Sequence, residues 1–310
     1  MSPYVQLPGC LLAWDRLKEC HNDSGVDGNP LSMRLLGVSG VGKSFLLQTY
    51  RDAHPRRHGD EVTTVPLLYL SIPSAPNKKS IYRAFLEGLG THSGALTTDR
   101  MQWQVRQLCR ECAVEMILID EVHHFIDRGA AHSYASAADA LKEMIDLLRL
   151  PVVFAGAPRS SILFDHNSQL RSRVMSSHHL KPFDIETQLD ALMGFIYALA
   201  SEQPQEQREW LASAEVASRI FYATDGVHRI VATLLKLSAK LSERSGHIDY
   251  SSVAELYRTR FWSPPEPKLN PFHADFPLRR LNKPSEPFQP TYLDGDNHAE
   301  EIHVATQRRR

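Results

Sequence analysis

A glycine-rich stretch near the start of the chain has the pattern of a phosphate-binding loop. Residues 37–44 read Gly-Val-Ser-Gly-Val-Gly-Lys-Ser and match G-x-x-x-x-G-K-S/T at every fixed position. Glycines let backbone N–H groups curl around a phosphate, and the following helix adds a favourable dipole. Lys43 can reach the β- and γ-phosphates of ATP, and the Ser44 hydroxyl can ligate Mg²⁺. The candidate cofactor-binding residues here are Gly37, Ser39, Gly40, Val41, Gly42, Lys43, Ser44 and Phe45.

Two carboxylates follow an apolar run further along the chain. Met116–Ile119 is apolar throughout, and Asp120 and Glu121 come directly after it. A buried parallel strand places its last residues at the C-terminal edge of the sheet, beside the phosphate-binding loop. We therefore predict that Asp120 holds Mg²⁺ through water. Glu121 is predicted to orient and polarise the water that attacks the phosphate.

Arginines at two places suit the charge that develops on a transferring phosphate. Arg171 and Arg173 lie in Gln-Leu-Arg-Ser-Arg, and a guanidinium is planar and always ionised. We assign Arg173 to the catalytic set, acting on a neighbouring subunit's γ-phosphate, with Arg171 as the alternative. Arg229 opens a predicted helix, where the positive end of the dipole disfavours it, so we expect a phosphate partner. For all three, a solvated surface arginine is the competing interpretation.

The elements that position these residues alternate between strand and helix. Strands are predicted at Met33–Leu36, Leu67–Ile72, Met116–Ile119 and Val152–Ala155. Amphipathic helices are predicted between them, at 43–51, 79–89, 100–112 and 135–148. Continuous apolar strands separated by helices are typical of a parallel sheet covered on both faces. The fold class is therefore α/β, with a nucleotide-binding domain over residues 33–183.

The pattern changes on either side of this domain. Residues 1–32 are predicted to be a lead-in, with a helix over Leu11–Cys20. Residues 184–261 are predicted to be all-helical, with helices at 185–200, 210–223, 228–244 and 251–260. Residues 262–310 are predicted to be an extended, flexible tail, because eight prolines lie between Pro264 and Pro290 and proline is excluded from helix interiors. Apolar side chains spaced along it suit docking into a partner's groove, or packing against its own helical domain.

Composition excludes several classes of protein. Lys plus Arg is 35 and Asp plus Glu is 36, so the net charge of −1 excludes coating of nucleic acid by bulk charge, although not local basic surfaces. No apolar run approaches the ~20 residues of a membrane helix. The first residues lack the basic region of a signal peptide, and four cysteines fit a reducing compartment. We expect a cytoplasmic protein without membrane contact.

Two other clusters could suggest a metal. Cys109 and Cys112 form C-x-x-C, but they lie on a predicted helix, where buried thiols are expected in place of a zinc site. His123 and His124 follow the acidic pair. Because successive residues point in different directions, we expect one ring to pack and the other to face solvent or a neighbouring subunit, so that they do not share one ion.

Together these features resemble an AAA+ ATPase over about residues 33–245. The loop corresponds to Walker A, Asp120–Glu121 to Walker B, and Gly226-Val227-His228-Arg229 to a GxxR motif. The run Ile-Asp-Glu-Val-His-His-Phe at 119–125, with Val-Val-Phe-Ala-Gly-Ala-Pro-Arg-Ser at 152–160, looks like the transposition regulators TniB and TnsC. The resemblance implies a five-stranded parallel sheet, a small all-helical lid, and ATP hydrolysis with Mg²⁺.

The resemblance also implies partners. It indicates a homo-oligomer, as a ring or helical filament on double-stranded DNA in the bacterial nucleoid, with Lys78, Lys79 and Arg83 at the DNA phosphates. It further indicates a TniQ-type target selector and a DDE transposase. The transposase would be reached through the C-terminal tail, since Asn270-Pro271-Phe272 and the prolines look similar to that family's transposase-binding tail.

One departure from the family affects the expected rate. Many AAA+ proteins carry a polar Asn or Thr after the fourth strand to sense the γ-phosphate, whereas Ala157 and Pro158 stand here. We therefore expect slow hydrolysis, which suits a switch. Two alternatives stay open: another AAA+ helper of initiator or helicase-loader type, and a nucleotide-binding scaffold that hardly hydrolyses ATP.

Overall fold

In a computed structural model of the protein, the apolar runs of the sequence form a parallel sheet. Its strands are β1 (Met33–Leu36), β4 (Leu67–Ser71), β5 (Met116–Asp120), β6 (Val152–Gly156) and β7 (Ser176–His179). They lie in the order β4-β5-β6-β1-β7, and each neighbouring pair is parallel. A separate short antiparallel pair consists of β2 (Arg57–His58) and β3 (Thr63–Thr64). The predicted α/β class and five-stranded parallel sheet are confirmed.

The structure describes residues 4, 6–22, 30–60, 62–74, 76–92, 94–126, 142–143, 145–165, 168–174 and 176–290. These residues form two units. The α/β unit comprises described residues within 9–39 and 43–180. The helical unit comprises those within 4–8, 40–42 and 181–290. None of the helices in these ranges is both long and apolar enough to cross a membrane.

Helices of the α/β unit include α1 (Pro8–Asn22), α2 (Lys43–Asp52), α3 (Lys78–Gly88), α4 (Thr98–Glu111), α5 (Ser161–Asp165) and α6 (Ser168–Arg173). The first four follow the predicted positions within a few residues, whereas α5 and α6 were not predicted. Residues 142–143 and 145–148 are also helical, as predicted for the end of 135–148, and the start of that predicted helix lies outside the described residues.

Local sequence explains where α3 and α4 begin and what they bury. Asn77 and Ser80 form a reciprocal capping box at the start of α3, and Thr97 caps α4. The apolar faces of α3 and α4 join the strands in one core that includes Phe85, Met101 and Val105. Every residue of β5 and β6 is buried. This burial accounts for their unbroken apolar runs, as expected for strands covered on both faces.

The helical unit contains five α-helices among its described residues. They are α7 (Leu189–Leu199), α8 (Gln205–Leu211), α9 (Ala214–Thr224), α10 (His228–Ser245) and α11 (Tyr250–Arg260). The helix predicted over 210–223 is in fact the end of α8 and most of α9, because Ser213 interrupts it as the N-cap of α9.

Residues 262–290 differ from the predicted flexible, extended tail. Phe272, Phe276 and Leu281 are buried within the helical unit. The Arg219 guanidinium donates hydrogen bonds to the carbonyls of Pro271 and His273, both at 2.8 Å. Proline prevents this segment from forming a long helix, but it does not prevent burial of the apolar side chains between the prolines. Residues 291–310 of the predicted tail lie outside the described residues.

An aromatic cluster in the helical unit encloses a histidine. The His228 ring lies 4.6 Å from the Phe183 ring and 5.4 Å from the Tyr4 ring, measured between centroids. Burial lowers the pKa of His228 from 6.5 to about 4, although a hydrogen bond to the Val41 backbone opposes this shift. The folded protein therefore keeps this ring neutral at a pH where the unfolded chain protonates it.

We predict that Leu281→Ala will destabilise the helical unit by about 3 kcal/mol, because Leu281 has no exposed surface and its removal leaves a cavity. Leu278→Ala is the matched control, since Leu278 is 54% exposed, and it should cost less than about 0.5 kcal/mol. Denaturant unfolding monitored by circular dichroism measures both. Equal, small effects would contradict the packed position of this segment.

We predict that the stability of the helical unit falls with acid because of His228. Its folded pKa is depressed, so the unfolded chain binds the extra proton. The free energy of unfolding is unaffected by this group above about pH 6.5 and falls by up to about 1.4 kcal/mol per pH unit toward pH 4. His228→Phe should remove this slope in denaturant unfolding at pH 7 and pH 5. The exposed His247→Phe should keep it, and a wild-type slope in His228→Phe would contradict the assignment.

Candidate functional site

The glycine-rich loop joins β1 to α2, as its sequence predicts. Gly40 and Gly42 have φ angles of +87° and +92°, a conformation that side-chain-bearing residues rarely adopt. The N–H of Gly37 donates to the carbonyl of Gly156 at 3.2 Å, which fixes the start of the loop to the end of β6. The backbone conformation of a phosphate-binding loop is therefore built into this connection.

Lys43 is the first residue of α2 and is buried, with 8% of its surface exposed. Its ammonium donates to the carbonyl of Gly37 at 2.7 Å and to that of Val38 at 3.2 Å. Ser44 beside it is half-buried, whereas Ser39 and Phe45 are exposed. A buried ammonium must have polar partners, and the loop's own carbonyls supply them here.

Asp120 ends β5 and is buried, and both of its carboxylate oxygens accept hydrogen bonds. Oδ1 accepts from the backbone N–H of Glu121 at 2.8 Å, and Oδ2 accepts from the hydroxyl of Tyr69 at 3.0 Å. A carboxylate has about four acceptor sites, so capacity remains for a water molecule bound to Mg²⁺. The sequence did not indicate Tyr69, which is the middle residue of the neighbouring strand β4.

Glu121 turns the chain out of the sheet. It has a left-handed φ of +59° and precedes a 3₁₀ turn at Val122–Phe125. Burial, followed by the charge of Asp120, raises the pKa of its carboxyl group, and the charges of Lys43, His124 and Arg159 lower it. The structure therefore brings the predicted Lys43, Asp120 and Glu121 into one electrostatic neighbourhood within the α/β unit.

Arg159 is a cation at this site that the sequence analysis missed. It lies in the 3₁₀ turn Pro158–Ser160, which follows β6, and its charge acts on Glu121. The predicted position for a polar sensor, Ala157, is buried and apolar. The signal available in the sequence was an arginine two residues beyond that position, in the turn after the fourth predicted strand.

Arg173 and Arg171 differ in their surroundings. The Arg173 guanidinium forms an ion pair with Asp146 within the α/β unit, and its carbonyl accepts from the N–H of Ser32 at 3.1 Å. Arg171, also on α6, is exposed. Arg173, which we assigned to catalysis, is therefore held in an ion pair, whereas the alternative, Arg171, is exposed.

In the helical unit, Arg229 lies beside the tip of the glycine-rich loop. Its N–H donates to the carbonyl of Gly40 at 2.9 Å, and its Nε lies 3.2 Å from the position of a Cβ atom added to Gly40. The Tyr4 hydroxyl and His228 both hydrogen-bond to the backbone of Val41. Arg229 is the predicted residue here. Tyr4 gave no signal in the sequence, and His228 gave only its position next to Arg229.

The predicted DNA-contacting residues lie on α3. The ammonium of Lys78 pairs with the carboxylate of Glu143 at 2.9 Å. Lys79 and Arg83 are exposed and stand four positions apart, so they share one face of the helix. Lys78 is exposed as well, but its charge is offset by Glu143.

The arrangement around Lys43 and Asp120 fits a nucleoside triphosphate with Mg²⁺. The α/β unit supplies a buried ammonium, a hydroxyl at the first turn of a helix and a strand-ending carboxylate, and the connecting loop has glycines at its two left-handed positions. These are the phosphate-binding and magnesium-binding groups that a nucleoside triphosphate with Mg²⁺ requires.

Comparison with solved structures identifies proteins with a similar fold. Cdc6p from Pyrobaculum aerophilum aligns with a TM-score of 0.60 and 16% identity, over 84% of this chain and 69% of that one. The Aeropyrum pernix ORC2 protein, in ADPNP–ADP complexes, gives 0.54 and 15%, over 80% and 68%. The Aeropyrum pernix ORC1 protein, in complex with DNA, gives 0.52 and 14%, over 83% and 69%. The chain therefore shares the fold of these Cdc6 and ORC proteins.

Comparison with protein families supplies the family. A search of curated proteins gives no match. The family model described as bacterial TniB protein matches residues 6–184, from α1 through the whole sheet to the start of the helical unit. Because this match covers more than half of the 310 residues, the chain belongs to the bacterial TniB family.

Proposed function

We propose that this protein is an ATP-hydrolysing switch that assembles on double-stranded DNA in the bacterial cytoplasm and regulates transposition. The observation that carries the proposal is the shared electrostatic neighbourhood of Lys43, Asp120 and Glu121 at the phosphate-binding edge of the sheet. Membership of the TniB family supports the link to transposition, and the structural similarity to an ORC1 protein in complex with DNA supports the link to DNA.

Each residue of the site has a defined task in hydrolysis. Lys43 binds the β- and γ-phosphates, and Ser44 and Asp120 hold Mg²⁺, which neutralises phosphate charge when bound. Glu121 orients the attacking water and accepts its proton. Burial makes its carboxylate a stronger base, while Lys43, His124 and Arg159 favour the ionised form. Arg159 supplies positive charge where a polar sensor is missing, and Arg229, in the first turn of α10, contacts phosphate.

Assembly provides the remaining arginine. We propose that a homo-oligomer, as a ring or a filament, places an arginine of α6 at the neighbouring subunit's γ-phosphate. Because Arg173 is paired with Asp146, the exposed Arg171 is the better placed of the two, although Arg173 can serve if that pair exchanges.

The other partners are a TniQ-type target selector and a DDE transposase. Phe272, Phe276 and Leu281 are buried in the helical unit, so they are not free to enter a partner's groove. We therefore assign transposase docking to the later part of the predicted tail, beginning at the mostly exposed residues 282–290.

We predict that Glu121→Gln will still bind ATP but will lower phosphate release by at least about 100-fold, because the amide cannot accept the water's proton. DNA-bound assemblies should then persist in electron micrographs. Lys43→Ala should lose nucleotide binding in a direct titration. The exposed Glu202→Gln is the matched control and should hydrolyse ATP at the wild-type rate.

Two results would count against this mechanism. Wild-type turnover by Glu121→Gln would remove Glu121 from its role. A wild-type protein that binds ATP but releases no phosphate, with or without duplex DNA, would favour the nucleotide-binding scaffold.

We predict that Lys79→Ala combined with Arg83→Ala will weaken DNA binding equally for all sequences, since phosphates carry no base identity. The slope of log affinity against log salt should shrink by roughly 0.9 for each lost contact. Lys78→Ala should reduce the slope by less, because the charge of Lys78 is already offset in part by Glu143. Fluorescence anisotropy at several salt concentrations measures the slope for the wild type and for both variants, and an unchanged slope in the double variant would place the DNA surface elsewhere.

A further inference from the structure

We infer that Glu121, His123 and His124 form a binding site for a divalent transition-metal ion of the Zn²⁺ class, distinct from the Mg²⁺ site. One ligand atom from each of the three residues lies within 4.8 Å of the other two. Imidazole nitrogens with one carboxylate oxygen are a ligand set that Zn²⁺ accepts. Among the described residues, no other group of three or more His, Cys, Asp or Glu side chains brings its ligand atoms this close together.

The local backbone explains how adjacent histidines meet, against the sequence expectation. Successive side chains diverge in a strand, but His123 and His124 lie in the 3₁₀ turn that follows the left-handed Glu121. Their ring centroids are 4.6 Å apart. The Nδ1 atom of His123 is 3.1 Å from Oε2 of Glu121. The turn therefore folds both rings back toward the carboxylate.

A hydrogen bond already orients His124 as a ligand. Its Nδ1 lies 2.7 Å from the carbonyl oxygen of Ile72. A carbonyl can only accept, so Nδ1 carries the hydrogen, and in the neutral ring it is Nε2 that offers a lone pair to a metal. Metal-bound histidines use this same outer hydrogen bond to fix the tautomer and the ring orientation.

The charge and exposure of the cluster also suit a metal ion. The side chains of His123 and Glu121 are 16% and 38% exposed, so the cluster is enclosed on one side and reachable from solvent. The Glu121 carboxylate offsets part of the ion's charge. Mg²⁺ prefers oxygen ligands, which Ser44 and Asp120 provide, and the two imidazoles favour a softer ion.

A regulatory consequence follows, and it rests on the proposed function. A metal ion bound by Glu121 would engage the carboxylate that must accept a proton from water. Hydrolysis would then stop while Lys43 still binds the nucleotide. The binding of the metal itself does not depend on whether the protein hydrolyses ATP.

Co²⁺, a spectroscopic substitute for Zn²⁺, tests the site directly. Titrated into the full-length protein, it should give a saturable visible absorption at one ion per chain, which Zn²⁺ abolishes and excess Mg²⁺ does not. His123→Gln and His124→Gln should each weaken binding at least tenfold. Since His124 also bonds Ile72, His123→Gln decides the matter if the other variant fails to fold.

The chain offers a matched control in a second pair of adjacent histidines, His178 and His179 on the edge strand β7. Their double change to Gln should leave Co²⁺ binding unaltered. A wild type without a saturable signal would overturn the inference. So would an equal loss in the control, or a thiolate band in the near ultraviolet, which would place the ion on a cysteine.

A second measurement separates the inference from the proposed function. With free Zn²⁺ buffered, phosphate release by the wild type should be inhibited with ATP affinity unchanged, and His123→Gln should need at least tenfold more Zn²⁺. If Co²⁺ binds as expected and no variant hydrolyses ATP, the metal site stands and the proposed hydrolysis fails. If hydrolysis proceeds and Zn²⁺ inhibits His123→Gln as strongly as the wild type, the regulatory consequence fails.

Discussion

The structure of the α/β unit depends on how the chain leaves β5. Five buried residues bring the strand to Asp120, and the next residue must reverse the backbone in a left-handed conformation that costs of order 1 kcal/mol for a glutamate. The Asp120 carboxylate offsets this cost by accepting the N–H of that residue. Gly156 makes room for the turn, since a Cβ there would lie 2.7 Å from Val122. Strand register, backbone strain and side-chain packing thus fix the position of the Glu121 carboxylate.

The sequence was most informative where one residue type has a single physical explanation. Glycines before a lysine predicted the loop, because few other residue types adopt its backbone conformation. A carboxylate after an unbroken apolar run predicted the strand end, because a buried strand accepts few other residue types. Strand β7 was harder to predict, since Ser-Ser-His-His at a sheet edge is mostly exposed and shows no apolar pattern. The juxtaposition of His123 and His124 was also missed, because it follows from a turn geometry that residue spacing does not encode.

The helical unit shows the same limit for long-range contacts. The prolines after residue 262 correctly excluded a long helix, but proline content does not reveal whether the intervening aromatic residues find a core. They do so because Arg219 supplies donors for two carbonyls that a proline-rich segment cannot pair within itself. Likewise, the partner of Arg173 is Asp146, which lies on a different part of the chain and had no reason to be chosen from sequence alone.

The segment that follows α11 is also tied to the turn that carries Arg229. Arg280 forms a bidentate ion pair with Asp225, the left-handed residue that ends α9 and stands directly before Gly226. A protein that bound residues 282–290 and drew the adjoining Arg280 away from Asp225 would therefore act on the same short turn as a nucleotide that held Arg229. By thermodynamic linkage, the factor by which the bound protein changes the affinity for the nucleotide equals the factor by which the nucleotide changes the affinity for the protein. The Arg280 guanidinium would then couple the nucleotide to a protein bound at the C-terminal segment. Each of these two ligands would change the affinity for the other.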